Sequence, residues 1–148
     1  MGLTMLEEGK EFLNNIKDII HEETQVHKRS IDLTLSKVYR IENRGNLDFG
    51  GNEFKKSELK EITAEKKTED DKYGWWNLKQ GMYIVEFNEE LMGKYAILQS
   101  IPRLLQTGCF LPMQIIEKNN KIQSLLNVGP QGVNIKENAR IATVYQFK

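Results

Sequence analysis

At 148 residues the chain is long enough for one domain with a sizeable core and too short for two ordinary ones. Its 21 Lys and Arg balance 21 Asp and Glu, so no global field draws it to nucleic acid or to an anionic membrane. A lone cysteine, Cys109, excludes an internal disulfide framework and fits a buried, inert thiol. No apolar run at the start is long enough for a signal peptide or a membrane span. We therefore expect one cytoplasmic domain over 1–148, with no membrane or nucleic-acid partner.

Thr4-Met-Leu-Glu7 has capping-box spacing, and Leu6, Phe12, Leu13, Ile16, Ile19 and Ile20 recur near the helical period. Together they predict an amphipathic helix over 5–20. His21 and His27 follow in a polar connection; their spacing sets them on different faces and no cysteine joins them, so no metal site is expected. Ile31, Leu33 and Leu35 alternate with Asp32, Thr34 and Ser36, the pattern of a half-buried strand. Turn residues cluster at 43–46 and 48–52, and the Lys- and Glu-rich stretch 53–72 reads as a charged, exposed excursion.

Trp75 and Trp76 are adjacent, so in a strand their rings point to opposite faces. One would enter the core, and the other would pack at a subunit interface or mark a partner surface. Short apolar runs at 82–87, 94–99, 113–116, 121–128 and 140–147 are separated by Gly, Pro, Asn and Glu clusters, which argues for a β-sandwich or barrel. Between two of them, Ile101-Pro-Arg-Leu-Leu-Gln-Thr-Gly108 opens with Pro102 and closes with Gly108, the signature of a short helix. Gly129-Pro-Gln-Gly132 lacks the Lys-Ser/Thr of a phosphate loop and reads as a hairpin turn.

Four landmarks in order carry a resemblance: Ser30-Ile-Asp-Leu-Thr-Leu35, Leu78-Lys-Gln-Gly-Met-Tyr-Ile-Val-Glu-Phe87 with the acidic turn Asn88-Glu-Glu-Leu91, the segment 93–108, and the closing run from Asn127-Val-Gly129 through Lys136-Glu-Asn138 to Arg140-Ile-Ala and Phe147. This order is similar to that of the dUTPase and dCTP deaminase superfamily. The resemblance implies a mainly β, dUTPase-like distorted barrel or sandwich with an N-terminal helix and one short internal helix. It also implies a homotrimer whose sites, shared between subunits, take nucleoside triphosphates with Mg²⁺.

In that family the internal helix supplies Arg and Ser to the phosphates, while an acid activates water: Asp in dUTPases, Glu in the deaminases. Anchored at Gly108, the Arg, Ser and second Arg positions are here Ile101, Pro102 and Gln106. A slip of one residue would let Ser100 or Arg103 serve, although Arg103 also fits a solvated or interface charge. Arg140 is a further substitute. Ser124 stands where the deaminase Glu would be, and Glu117 is the sole acid in the segment 108–122. It is the one replacement catalytic group, or else a hairpin-tip residue beside Lys118, Asn119 and Asn120. The chain stops just past its last strand, where the family's closing arm would begin.

The pattern supports a dUTPase-like scaffold with a binding or regulatory role, non-catalytic and with residual nucleotide binding. One alternative is an active dUTP diphosphatase or dCTP deaminase with displaced groups, using Mg²⁺ with its substrate. Another is an interaction module for a protein partner, unrelated to nucleotides, with Tyr73–Trp76 as its contact.

Overall fold

The computed structural model describes residues 5–93, 95–117 and 121–148. In chain order the elements are α1 (Gly9–Phe12), a 3-10 turn (Leu13–Asn15), β1 (Ile16–Lys17), α2 (Glu22–Gln25), β2 (Ile31–Ile41), β3 (Leu59–Ile62), β4 (Trp75–Leu78), β5 (Gly81–Phe87), β6 (Glu90–Leu91), β7 (Ala96–Ser100), α3 (Pro102–Leu105), β8 (Gln114–Ile116), β9 (Gln123–Val128), β10 (Val133–Lys136) and β11 (Arg140–Gln146). The architecture is mainly β, as expected. One antiparallel sheet runs β8-β7-β11-β2-β5-β9, with β3 added beside β2, and two small sheets pair β1 with β6 and β4 with β10.

β2 organises the molecule because it changes partners along its length. Residues 31–34 pair with β11, while 38–41 pair with β3 and 35–40 with β5. Register shifts between Leu35 and Lys37 and between Arg140 and Ala142 let the strands bend and the sheet curl. Ile31, Leu33, Leu35, Phe87, Leu98 and Val144 are fully buried in one continuous core; each such side chain contributes about 1.5–3 kcal/mol of transfer free energy.

The 5–20 helix is the main correction to the fold expectations. Only one turn, Gly9–Phe12, and a 3-10 turn form; Thr4 lies outside the described residues. The backbone on either side is claimed by sheet. Leu6 bridges Phe147, Glu7 N–H donates to Gln146 O at 2.7 Å, and Ile16 pairs with Leu91. Gly9 also lies against the His27 carbonyl so closely that a Cβ would sit 1.9 Å from its oxygen, which admits no other residue there.

Two further readings change. The 53–72 excursion includes β3, whose Leu59 and Ile62 lean inward while Lys60 and Glu61 stay exposed. On β2, Asp32 and Thr34 are buried although polar, because the segment carrying α2 and the turn at Asn88 and Glu89 cover the face expected to meet water. Other readings hold: Pro102 opens α3, Gly108 follows it with φ +79, and Cys109 is buried.

Candidate functional site

Burying the polar face of β2 requires partners for every group on it. Glu89, fully buried, supplies them: its Oε1 accepts from Thr34 N–H at 2.8 Å, and its Oε2 accepts from Thr34 Oγ1 at 2.6 Å and Gln25 Nε2 at 2.8 Å. Burial raises the Glu89 carboxyl above its ordinary range, and the donors from Thr34 and Gln25 offset part of that rise. Gln25, also buried, links this network to the preceding loop. Its Oε1 accepts from the N–H groups of Ile20 and His21, both at 2.9 Å, and its Nε2 also donates to the Asp32 carbonyl.

The loop so fixed forms one wall of a cleft of about 660 Å³. Opposite it stand β10, the start of β11 and α3. Ile20, Leu104, Ile135 and Ile141 make the floor apolar, while Arg103, Lys136 and Arg140 bring positive charge to its edge. No Asp or Glu lines it among the described residues. Trp75 closes one end, with Lys67 Nζ 4.3 Å and Lys136 Nζ 5.7 Å from its ring centroid, within cation–π range. The β4–β10 pairing sets this corner, since Lys136 lies directly opposite Trp75.

Arg140 is held in place by Asp32. Its Nη1 donates to Asp32 Oδ2 at 3.1 Å and to the Thr24 carbonyl at 3.2 Å. The same Oδ2 lies 2.8 Å from His27 Nε2. Behind Arg103 and Arg140 is a smaller cavity of about 310 Å³, reached by His27, Ser30, Asp32 and Tyr145.

The structure brings only part of the expected set together. Arg103, on α3, and Arg140 both line the cleft, and Arg103 forms no ion pair among the described residues. Ser100 turns away: its hydroxyl accepts from Leu111 N–H at 2.8 Å and donates to Leu111 O at 3.3 Å. Gln106, at the end of α3, is exposed and lines neither cavity. Glu117 is likewise exposed and lines neither; its neighbours Lys118, Asn119 and Asn120 lie outside the described residues. The tryptophans split by face. Trp76 is buried and its Nε1 donates to Ile62 O at 2.8 Å, whereas Trp75 borders the cleft.

Sequence reasoning missed Lys136, Asp32, His27 and the Gln25–Glu89 network. Only the alternation on β2, a polar residue between apolar ones, hinted at Asp32 and Thr34. Among the described residues, no group of three or more His, Cys, Asp or Glu is arranged to hold a metal ion, and no helix is long and apolar enough to cross a membrane.

No family model matches the chain. It is 33% identical over 135 residues to a probable deoxyuridine 5'-triphosphate nucleotidohydrolase of Methanosarcina acetivorans, across 87% of this chain and 74% of the relative. To the protein so named in Methanosarcina mazei it is 31% identical over 132 residues, across 85% of this chain and 74% of that one. Among solved structures, the 2'-deoxycytidine 5'-triphosphate deaminase from Agrobacterium tumefaciens is similar at a TM-score of 0.65 over 95% of this chain, with 15% identity. That likeness concerns the fold alone, and this chain spans about half of the solved one, 47%. With sequence relatives and fold in agreement, the chain belongs to the dUTPase/dCTP deaminase superfamily.

Proposed function

We propose that this chain is a dUTPase-like scaffold protein that holds a nucleoside triphosphate in the cleft without turning it over, in a binding or regulatory role. One observation carries the reading: Arg103, Lys136 and Arg140 meet at a cleft whose described lining contains no carboxylate. Cationic donors balance a polyanion, and Trp75 offers an aromatic face for a base. Hydrolysis or deamination in this family relies on a carboxylate to activate water, and no carboxylate is among the described residues lining the cleft.

The nearest acids are otherwise occupied. Glu89 lies beneath the cleft with both oxygens bonded to Thr34 and Gln25. Asp32 is buried and shares Oδ2 between Arg140 and His27, so that oxygen is already engaged. Among the described residues no cluster of acidic or other ligating side chains fits a protein-held Mg²⁺, and the ion belongs in this reading only as the triphosphate's own counter-ion.

A homotrimer is part of the proposal, as the family resemblance implies. Phe49, Tyr95, Met113 and Ile115 are 109%, 60%, 70% and 71% exposed, and apolar surface of that kind is suited to burial in an assembly. A second reading, an active dUTP diphosphatase or dCTP deaminase with displaced groups, is favoured by the sequence relatives, which are probable deoxyuridine 5'-triphosphate nucleotidohydrolases.

Incubation with dUTP and dCTP plus Mg²⁺, with products separated and melting temperatures recorded in the same samples, tests both readings. Stabilisation without product is expected. Ready turnover would favour the second reading, and neither turnover nor stabilisation would remove the nucleotide from both.

A further inference from the structure

We propose that the groove between the arm 42–58, which links β2 to β3, and the sheet beneath it is a docking site for a partner protein, one that inserts a segment carrying acidic residues beside large apolar ones. The groove has a volume of about 480 Å³ and shares no lining residue with the nucleotide cleft, so the inference does not rest on that cleft being used.

The arm is a closed hairpin rather than a loose excursion. Asn46 and Lys55 exchange backbone bonds, N–H to carbonyl, at 2.9 and 3.0 Å. At its base Glu58 N–H donates to Asn43 Oδ1 at 2.8 Å, and Glu42 N–H donates to Glu58 O at 2.9 Å. Gly45 lets the two limbs close, since a Cβ there would sit 2.6 Å from the Lys55 carbonyl oxygen. An arm so braced holds its side chains in position before any partner arrives, which lowers the ordering cost of binding.

What it holds out is apolar. Leu47 and Phe54, on the arm, are 88% and 57% exposed. Ile41, Leu59 and Ile84 continue the lining from β2, β3 and β5, on the sheet face opposite to the buried Val38 and Val85. Single exposed apolar side chains are ordinary, but five lining one groove mark an interaction surface.

Charge selects the occupant. Lys55 and Lys56 are the charged residues of the lining, and neither forms an ion pair among the described residues. Glu53 and Glu58 belong to the same arm but do not line the groove. An incoming segment therefore meets apolar surface with positive charge beside it, which favours acidic partners and discourages basic ones. The walls are too exposed to enclose most of a small molecule, as ligand pockets do. An amphipathic protein segment laid along the groove needs no such enclosure.

The test is selection of a phage-displayed library of random peptides on the full chain, followed by fluorescence-anisotropy titration of the enriched peptides. Each is titrated against wild type, Phe54→Ser, the double variant Lys55→Glu with Lys56→Glu, and Trp75→Ala, all first shown to be folded by circular dichroism. The enriched peptides are expected to carry Asp or Glu beside Leu, Phe or Trp. Their affinity should fall at least about tenfold in Phe54→Ser, the order of losing one interface anchor. It should fall similarly in the double variant and stay within about twofold in Trp75→Ala. Binding to wild type should weaken as salt is raised.

Failure of any sequence to enrich overturns the docking site, as does equal affinity in Phe54→Ser or in the double variant. Enriched peptides without acids overturn the charge selection on which the choice of occupant rests. Two further outcomes would assign the groove elsewhere. A change of mass in light scattering on Phe54→Ser or on the double variant would show that a second copy of the chain fills it. Binding to phosphatidylglycerol vesicles that both variants abolish, with no peptide enriched, would make it a lipid-facing surface.

Discussion

Thr34 holds Glu89 by two bonds, one from its backbone N–H to Oε1 at 2.8 Å and one from its hydroxyl to Oε2 at 2.6 Å. Together with Gln25, this joins β2, the turn before β6 and the loop that walls the cleft. The contact is long-range, spanning 55 positions in sequence.

The pair makes stability depend on pH in a definite direction. Burial raises the Glu89 carboxyl above its ordinary value of 4.5, so the folded chain holds this proton more tightly than the unfolded one. Its contribution is fully present below about 4.5 and is lost as pH rises from there through the raised folded value. In urea denaturation across that range, Glu89→Gln should lack this component. A wild-type-minus-variant difference that stays flat, or that grows with pH, would contradict the assignment.

The adjacent tryptophans should respond unequally to truncation. Trp76 is buried and its indole N–H satisfies the Ile62 carbonyl, so Trp76→Ala should cost roughly 3–5 kcal/mol of stability by opening a cavity. Trp75→Ala removes a half-exposed ring at the cleft; it should leave the denaturation midpoint nearly unchanged and weaken ligand binding. Similar losses of stability in both variants would show that Trp75 is a core residue.

How much of this was legible depended on whether the cause was local. β9 and β11 follow from alternation and turn residues, and α3 from Pro102 and Gly108, whereas β10 lies outside the runs expected to be strands. The 5–20 helix failed because Leu6 and Ile16 take partners at Phe147 and Leu91, which a helical period cannot reveal. The site divides in the same way. Arg103 lies beside motif positions that themselves hold Ile101, Pro102 and Gln106, and Arg140 opens the closing run, so sequence offered both as substitutes. Lys136 reaches the cleft through the pairing of β10 with β4, and Glu89, read as a turn acid, is buried by groups distant in sequence.

Assembly offers an independent check on the family's quaternary habit. Phe49 projects fully from the turn at 48–53, where Asp48 caps the N–H groups of Gly51 and Glu53 at 3.0 and 2.9 Å. Met113 and Ile115 are exposed on and beside β8. These apolar surfaces should be covered in a homotrimer, and light scattering at micromolar concentration should give three times the 17.2 kDa chain mass. A monomer would separate this chain from the assembly that the resemblance implies.

Catalysis is the sharpest discriminator between the two functional readings. An ordinary enzyme turns over about ten times per second, and loss of a general base or of preorganised donors typically lowers rates by orders of magnitude. Turnover of dUTP and dCTP should therefore be negligible, with Glu117→Gln indistinguishable from wild type because Glu117 lines neither cavity. Turnover near ten per second that Glu117→Gln abolished would mean that the acid meets substrate in the assembled protein, on a neighbouring subunit's cleft. Turnover abolished by Asp32→Asn instead, with Glu117→Gln fully active, would assign the base to the His27–Asp32–Arg140 cluster. Either result would replace the binding reading with an active enzyme whose chemistry has moved off the family's usual positions.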